Sequence, residues 1–306
     1  MKKINGMIIM IFAFTLIFSA TPVREYKVDI SKTYNIEKEV MIGNFRNISI
    51  NTFTNIKLNI YEHNNKNLIY KLRGNVLIKG TSEVKEPEYF VVTEMKDGIF
   101  IINLKRNFTN ISGEFSAHIQ DLVLDIYLPK DFDGNLDLTS NLINELKIIE
   151  LNLNKINLKF NFSKIEILNS EIKELIFDIN SCEIKIEKLK VENVEINSTF
   201  SKILIDNSEF ENMKLDLKND NINILNHIGN LNIKQEFGKS IILYKYFKNN
   251  MKLDIKSVDL IIKLPENAEI NFNSNEKIYN EFESFENSEY VIEIKKVFGD
   301  VRIEKY

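Results

Sequence analysis

Between Leu158 and Ile262 the large apolar residues fall on alternate positions in short runs, and the runs recur with a 19-residue period. Ile165, Ile184, Ile203, Ile222, Ile241 and Leu260 form one ladder. Each is followed two residues later by another aliphatic, namely Ile167, Ile186, Ile205, Ile224, Leu243 and Ile262. Period-2 alternation places both members of a pair on one face of a β-strand. A second row, Leu158, Phe177, Ile196, Leu215 and Leu253, keeps the same period, with Ile233 one residue early. Phe160, Ile179, Leu217 and Ile255 follow it by two, while Ser198 and Glu236 interrupt. A third row is Leu175, Val194, Met213 and Met251, with Leu231 one early. The spacing predicts that a single-residue bulge recovers the shift by Ile241. A fixed period of about 20 residues is the signature of a solenoid, whose coils close a core only by stacking. Two strands per period argue for a β-solenoid and against a leucine-rich repeat.

The phrase Phe162-Ser163-Lys164-Ile165 returns two periods later as Phe200-Ser201-Lys202-Ile203. The intervening coil carries Ser181 where the Phe stands, and later coils carry Asn219, Gly238 and Ser257. Small and polar residues at a shared position predict a turn at a common corner. The period predicts about six or seven coils across residues 128–275.

Residues 27–127 are β-rich but less regular. Ile48/Ile50 and Ile56/Leu58/Ile60 are expected to face inward, and Asp97-Gly98 marks a hairpin turn. Residues 276–306, ending VIEIKKVFGDVRIEKY, read as C-terminal strands. This segment and the 27–127 region are the candidate caps for the open strand edges of the solenoid. A soft boundary falls near 120–130.

The stretches FRNISINTFTNIKLNIY, DGIFIINL and DLVLDIYLP, the strand repeats and the closing FGDVRIEKY together resemble the bacterial adhesin-like family of unknown function, with its adhesin-like β-strand repeat. Leu128-Pro129, Leu264-Pro265 and Gly299-Asp300-Val301 match its marks. The middle coils depart from it, with Phe162-Ser163-Lys164 and Asn219-Asp220-Asn221 where the family has Ser-Gly-Asp turns. The resemblance covers about Phe45 to Tyr306. It implies a right-handed parallel β-solenoid on an exported or envelope protein, and it transfers no catalytic residues.

Composition narrows the setting. The chain has 306 residues, 44% hydrophobic and 27% charged, with a net charge of −4 and interspersed signs. This is a globular profile with no basic stripe, so nucleic acid is not an expected partner. Lys2 and Lys3 precede the apolar run Met7–Phe18, so residues 1–21 read as a secretory signal peptide, cut near Ala20 or Thr21, or as an N-terminal anchor. No Cys follows that run, which argues against a lipoprotein. The single cysteine, Cys182, rules out a disulfide framework and has no base in the nearby sequence.

The chain offers little chemistry. Asp131, Asp133, Asn135 and Asp137 place oxygens at alternate positions, as a calcium loop does. Gly134 comes too early for an EF-hand and its closing Glu is missing, so a polar turn after Leu128-Pro129 is the simpler reading. His63, His118 and His227 lack metal-ligand spacing and read as solvated loop residues. No catalytic, cofactor-binding or metal residue is assigned. Asp178, Asn197, Asp216, Gln235 and Asp254 are expected to line one outer face. Two coils would then separate Asp178 from Asp216 by about 10 Å, slightly beyond a hydrolytic carboxylate pair. Glu166, Lys185, Leu204, Asn223, Ile242 and Ile261 form another outer row, whose apolar end is expected to lie under residues 276–306 or a partner.

These features favour a non-enzymatic exported envelope protein, an adhesin-like structural or binding module. Its partner would be an envelope or host-surface glycan or protein, with membrane contact only through a retained N-terminal segment. A polysaccharide-acting β-helix enzyme and an envelope-stress accessory protein are the alternatives.

Overall fold

The computed structural model describes residues 28–41, 45–52, 54–80, 88–107, 115–140 and 143–306. The signal-peptide reading of residues 1–21 lies outside them, as does the side chain of His118. The described chain is all strand, turn and bend. In order come β1 (Val28–Val40), β2 (Asn47–Thr52), β3 (Lys57–His63), β4 (Leu68–Gly80), β5 (Glu88–Lys96), β6 (Ile99–Asn107) and β7 (Phe115–Pro129). The middle holds β8 (Asn135–Ser140), β9 (Glu145–Ile149), β10 (Asn152–Asn161), β11 (Lys164–Leu168), β12 (Glu171–Asn180), β13 (Glu183–Glu187), β14 (Lys190–Thr199) and β15 (Lys202–Asp206). The long β16 (Glu209–Tyr244) spans two coils and leads to β17 (Met251–Leu264). The chain ends with β18 (Asn271–Ser274), β19 (Tyr279–Asn280), β20 (Val291–Val297) and β21 (Val301–Lys305).

Successive coils pair in parallel, and the register confirms the 19-residue period. Ile165 pairs with Ile184, Ile184 with Ile203, and Ile203 with Ile222. Leu158 pairs with Phe177, and Phe177 with Ile196. Ile165, Ile167, Leu158 and Phe177 are fully buried. Each such side chain contributes about 1.5–3 kcal/mol by leaving water, and successive members stack in contact because coils sit about 4.8 Å apart.

Two corners of each coil are made by residues in the left-handed region. One row is Glu150, Asn169, Lys188, Asn207 and Asn226, with φ from 47° to 56°. The other begins at Phe162 (53°), Ser181 (54°) and Phe200 (55°). The side chain after each corner points inward and is usually small. The Ser170, Ser208 and Ser201 hydroxyls accept from the Leu151, Leu189 and Cys182 amides, each at 3.1 Å. Ser therefore recurs on alternate coils, which explains the Phe-Ser-Lys-Ile echo as a two-coil repeat.

The structure corrects the late ladder. The shift begins at Ile228–Asn230, where Gly229 adopts φ +126° and the coil loses one residue. Asn230 and Lys234 bond Asn212 and Asp216, each 18 residues earlier. The shift persists through the whole second half of β16, because Leu231 through Leu243 pair with β17 at a 20-residue offset. Ser240 and Ile242 therefore point inward, while Ile241 is 38% exposed. The expected inward place of Ile241 and the expected outer place of Ile242 are both reversed. Gln235 is likewise buried, in the place expected of Glu236, and Lys234 takes the outer position opposite Asp254.

Both ends depart from chain order. β2 and β3 lie between the β6/β7 level and the β8/β9 level. β20 and β21 lie between β17 and the β18/β19 level. Of residues 276–306, β20 and β21 thus form an inner coil in place of the expected cap, while β19 lies at the terminal level. At the N-terminal end the stack closes with antiparallel strands. β5 pairs with β6 through the Asp97-Gly98 turn, β4 pairs with β7, and β1 pairs with β4. Ser31, Glu37, Lys38 and Glu39 on β1 are exposed, as suits an edge that must not recruit another strand.

Candidate functional site

β10, β12, β14 and the first part of β16 each have one place before the corner where two consecutive residues face outward. There Leu153 and Ile156, Ile172 and Leu175, Val191 and Val194, and Phe210 and Met213 point inward on either side. Stacking repeats this place from coil to coil and leaves a hollow along the solenoid of about 770 Å³.

The outward residues there form a row: Glu174, Asn193, Asn212, Asn230 and Asn250. The Asn212 and Asn230 amide groups each donate to the preceding Asn at 3.3 Å. The Asn250 backbone donates to Asn230 Oδ1 at 3.0 Å, and the Val291 backbone to Asn250 Oδ1 at 2.9 Å. An Asn side chain has two donor hydrogens and an acceptor with two lone pairs. Asn212 and Asn230 each use one donor hydrogen and one acceptor along the ladder, whose members line the hollow. Neighbouring charges are internally matched. Lys214 meets Glu195 at 2.9 Å, Lys155 meets Glu174 at 2.9 Å, and Lys252 meets Glu293 at 3.7 Å. The Glu195 pairing raises the Lys214 pKa, chiefly through the hydrogen bond. A second hollow, about 530 Å³, lies beside Glu171, Lys190, Glu192, Glu209 and Glu211.

The other candidate residues disperse. The Asn135 amide donates to Asn47 at 2.8 Å, and the Asn157 amide donates to Asp137 at 3.1 Å. Asp131 and Asp133 are exposed, and Asn135 and Asp137 are half-buried in β8. Among the described residues no group of three or more His, Cys, Asp or Glu could hold a metal ion. Cys182 is buried, donates to the Asn180 carbonyl at 3.4 Å, and has its thiol pKa pushed up by burial. His63 bonds Asn67 at the end of β3.

His227 overturns its reading as a solvated loop residue. It is 1% exposed, sits between Phe210 and Tyr244, and has no hydrogen-bond partner of normal geometry on either ring nitrogen. Burial lowers its pKa to about 4, an effect that nearby backbone groups of Gly229 and Ser208 oppose only in part. Asp220 was likewise hidden in a turn-like Asn-Asp-Asn. It is fully buried and accepts from the Ser201 and Lys218 amides at 2.6 Å and from the Ser198 hydroxyl at 2.8 Å. Ser198, the break in the second row, was the available signal. Burial raises the pKa of Asp220, an effect these donors partly oppose.

Parallel coils, amide-lined hollows and a closed apolar interior define a β-solenoid with its polar chemistry on the outside. The chain belongs to the Toastrack DUF4097 family, whose model matches residues 45–304. No curated protein matches it. Two solved structures are similar. A "putative cell adhesion protein" from Clostridium sporogenes is 14% identical with a TM-score of 0.28, over 90% of this chain and 100% of that one. A "putative adhesin" from Parabacteroides merdae is 12% identical with a TM-score of 0.39, over 89% and 96%. Among the described residues no helix is long and apolar enough to cross a membrane.

Proposed function

We propose that this protein is a non-enzymatic, exported binding module of the bacterial cell envelope, adhesin-like in action, and that the asparagine-lined hollow is its contact surface. The observation that carries the reading is the Asn193–Asn250 row, which offers unused amide donors and acceptors at regular intervals beside matched charges. Such a surface suits an extended polymer or strand lying along the stack. Lys2, Lys3 and the apolar run after them support export.

The test presents the purified exported chain on beads to intact bacterial cells, isolated cell walls and extracellular-matrix proteins. Capture of one of these, lost in an Asn193→Ala/Asn212→Ala double variant that keeps its melting temperature, is the expected result. Equal capture by the variant removes the hollow from the reading. Continuous release of new reducing ends from any glycan replaces the binding module with an enzyme.

A further inference from the structure

The corner row that starts at Phe162 continues through seven successive levels. In stack order it reads Phe162, Ser181, Phe200, Asn219, Phe237, Ser257 and Phe298. Phenylalanine occupies every second level, and Ser or Asn the levels between. All seven backbones are left-handed, with φ from 53° to 62°. The last member comes from the closing segment, which continues the alternation only because β20 and β21 are inserted beside β17. The Phe162 and Phe200 amides donate to Asn180 and Lys218 of the next level, both at 3.0 Å, so the corners are stacked in register.

The fold does not need these rings. A left-handed backbone favours Gly or Asn and disfavours bulky side chains, and Asn219 occupies this position in the same row. Nor are the rings buried: Phe162 and Phe298 are 72% exposed, Phe200 63% and Phe237 41%. Rings that gain little from burial and sit on an unfavourable backbone, yet recur at a strict interval, point to a surface role.

We propose that this corner is a stacking platform for an extended, uncharged β-1,4-linked polysaccharide. The interval between rings is two coils, about 10 Å. In an extended β-1,4 chain successive sugars are flipped, so one sugar face recurs once per disaccharide, over a similar length. Each ring meets the apolar face of every second sugar. Ser181, Asn219 and Ser257 supply donors and acceptors to the hydroxyls of the sugars between. The row itself carries no charge. Around Phe200 the surface forms a hollow of about 380 Å³ that includes Ser181 and Asn219, and in which Lys202 faces Glu183 at 3.9 Å. This corner is separate from the asparagine-lined hollow, so either surface can fail without the other.

The experiment measures retention of the exported full chain on insoluble chitin and microcrystalline cellulose, with starch as the α-linked control. A Phe162→Ser/Phe200→Ser variant adopts the side chain that Ser181 and Ser257 already carry at this corner. Phe162→Asn/Phe200→Asn, after Asn219, serves if the first fails to fold. Retention on a β-linked polymer but not on starch is expected, falling about tenfold or more in the double variant. Phe200→Tyr is expected to retain binding, and Lys38→Ala, at an exposed position on β1, to leave it within about twofold. Absence of retention on both β-linked polymers overturns the proposal, as does equal retention by the folded variant. A variant that loses self-association without losing glycan retention also overturns it, and assigns the row to a second copy of the chain.

Discussion

Replacing His227 with leucine is expected to remove a pH-dependent weakness from the solenoid core. The residue follows the Asn226 corner, in the inward row where earlier coils carry Leu151, Ser170, Leu189 and Ser208. Its ring is enclosed by Phe210 and Tyr244, at centroid distances of 5.6 and 5.0 Å. The folded pKa is lowered from 6.5 to about 4 because burial penalises the cation. The sign follows from proton binding. Between those two values the unfolded chain holds a proton at this position and the folded chain does not, so stability falls as pH drops. The contribution is complete above pH 6.5 and is lost as pH falls to about 4. Each pH unit between the two values is worth about 1.4 kcal/mol, so the whole interval corresponds to about 3 kcal/mol. Urea unfolding followed by circular dichroism at pH 7 and pH 4 measures it. Wild type is expected to lose about 3 kcal/mol more than His227→Leu over that interval. At pH 7 the variant is expected to be at least as stable, since it removes two buried nitrogens without partners. Parallel losses in the two proteins would refute the reasoning.

Other perturbations test separate parts of the structure. Asp220→Leu orphans the Ser198 hydroxyl and the Ser201 and Lys218 amides, and is expected to cost about 3 kcal/mol or more in urea unfolding. Gly229→Ala would place its Cβ 1.4 Å from the Phe210 carbonyl oxygen at a backbone with φ +126°. A drop of about 3 kcal/mol or more is expected, and a neutral result would contradict the shortened coil. Phe177→Ala in the fully buried ladder is expected to lose about 3–5 kcal/mol. Truncation after Tyr290 removes the strands between β17 and β18. Hydrogen exchange is then expected to show loss of protection at Asn271–Ser274 as well, whereas unchanged protection there would contradict the inserted order.

The sequence by itself determined the coil. Alternation within strands and a constant 19-residue interval required stacked parallel strands, because each coil has only half a core. The pairing of Ile165, Ile184, Ile203 and Ile222 follows directly. Corners were legible in part: one row is polar throughout, from Glu150 to Asn226, whereas the other alternates Phe with Ser or Asn. The asparagine ladder was less visible, because Asn230 comes 18 residues after Asn212 and the shift disguises the row. Ile241 and Ile242 show the same limit. Both are aliphatic, so composition could not say which faced inward, and a one-residue shift exchanges the two faces. Tertiary structure alone decided the order of coils at the two ends. Parallel pairing is set by matching edges and burial, not by proximity along the chain, so β20 and β21 could insert beside β17. That insertion brings Phe298 into line with Phe237, far before it in the chain, and completes a surface row whose first four members keep the 19-residue period and whose last member does not.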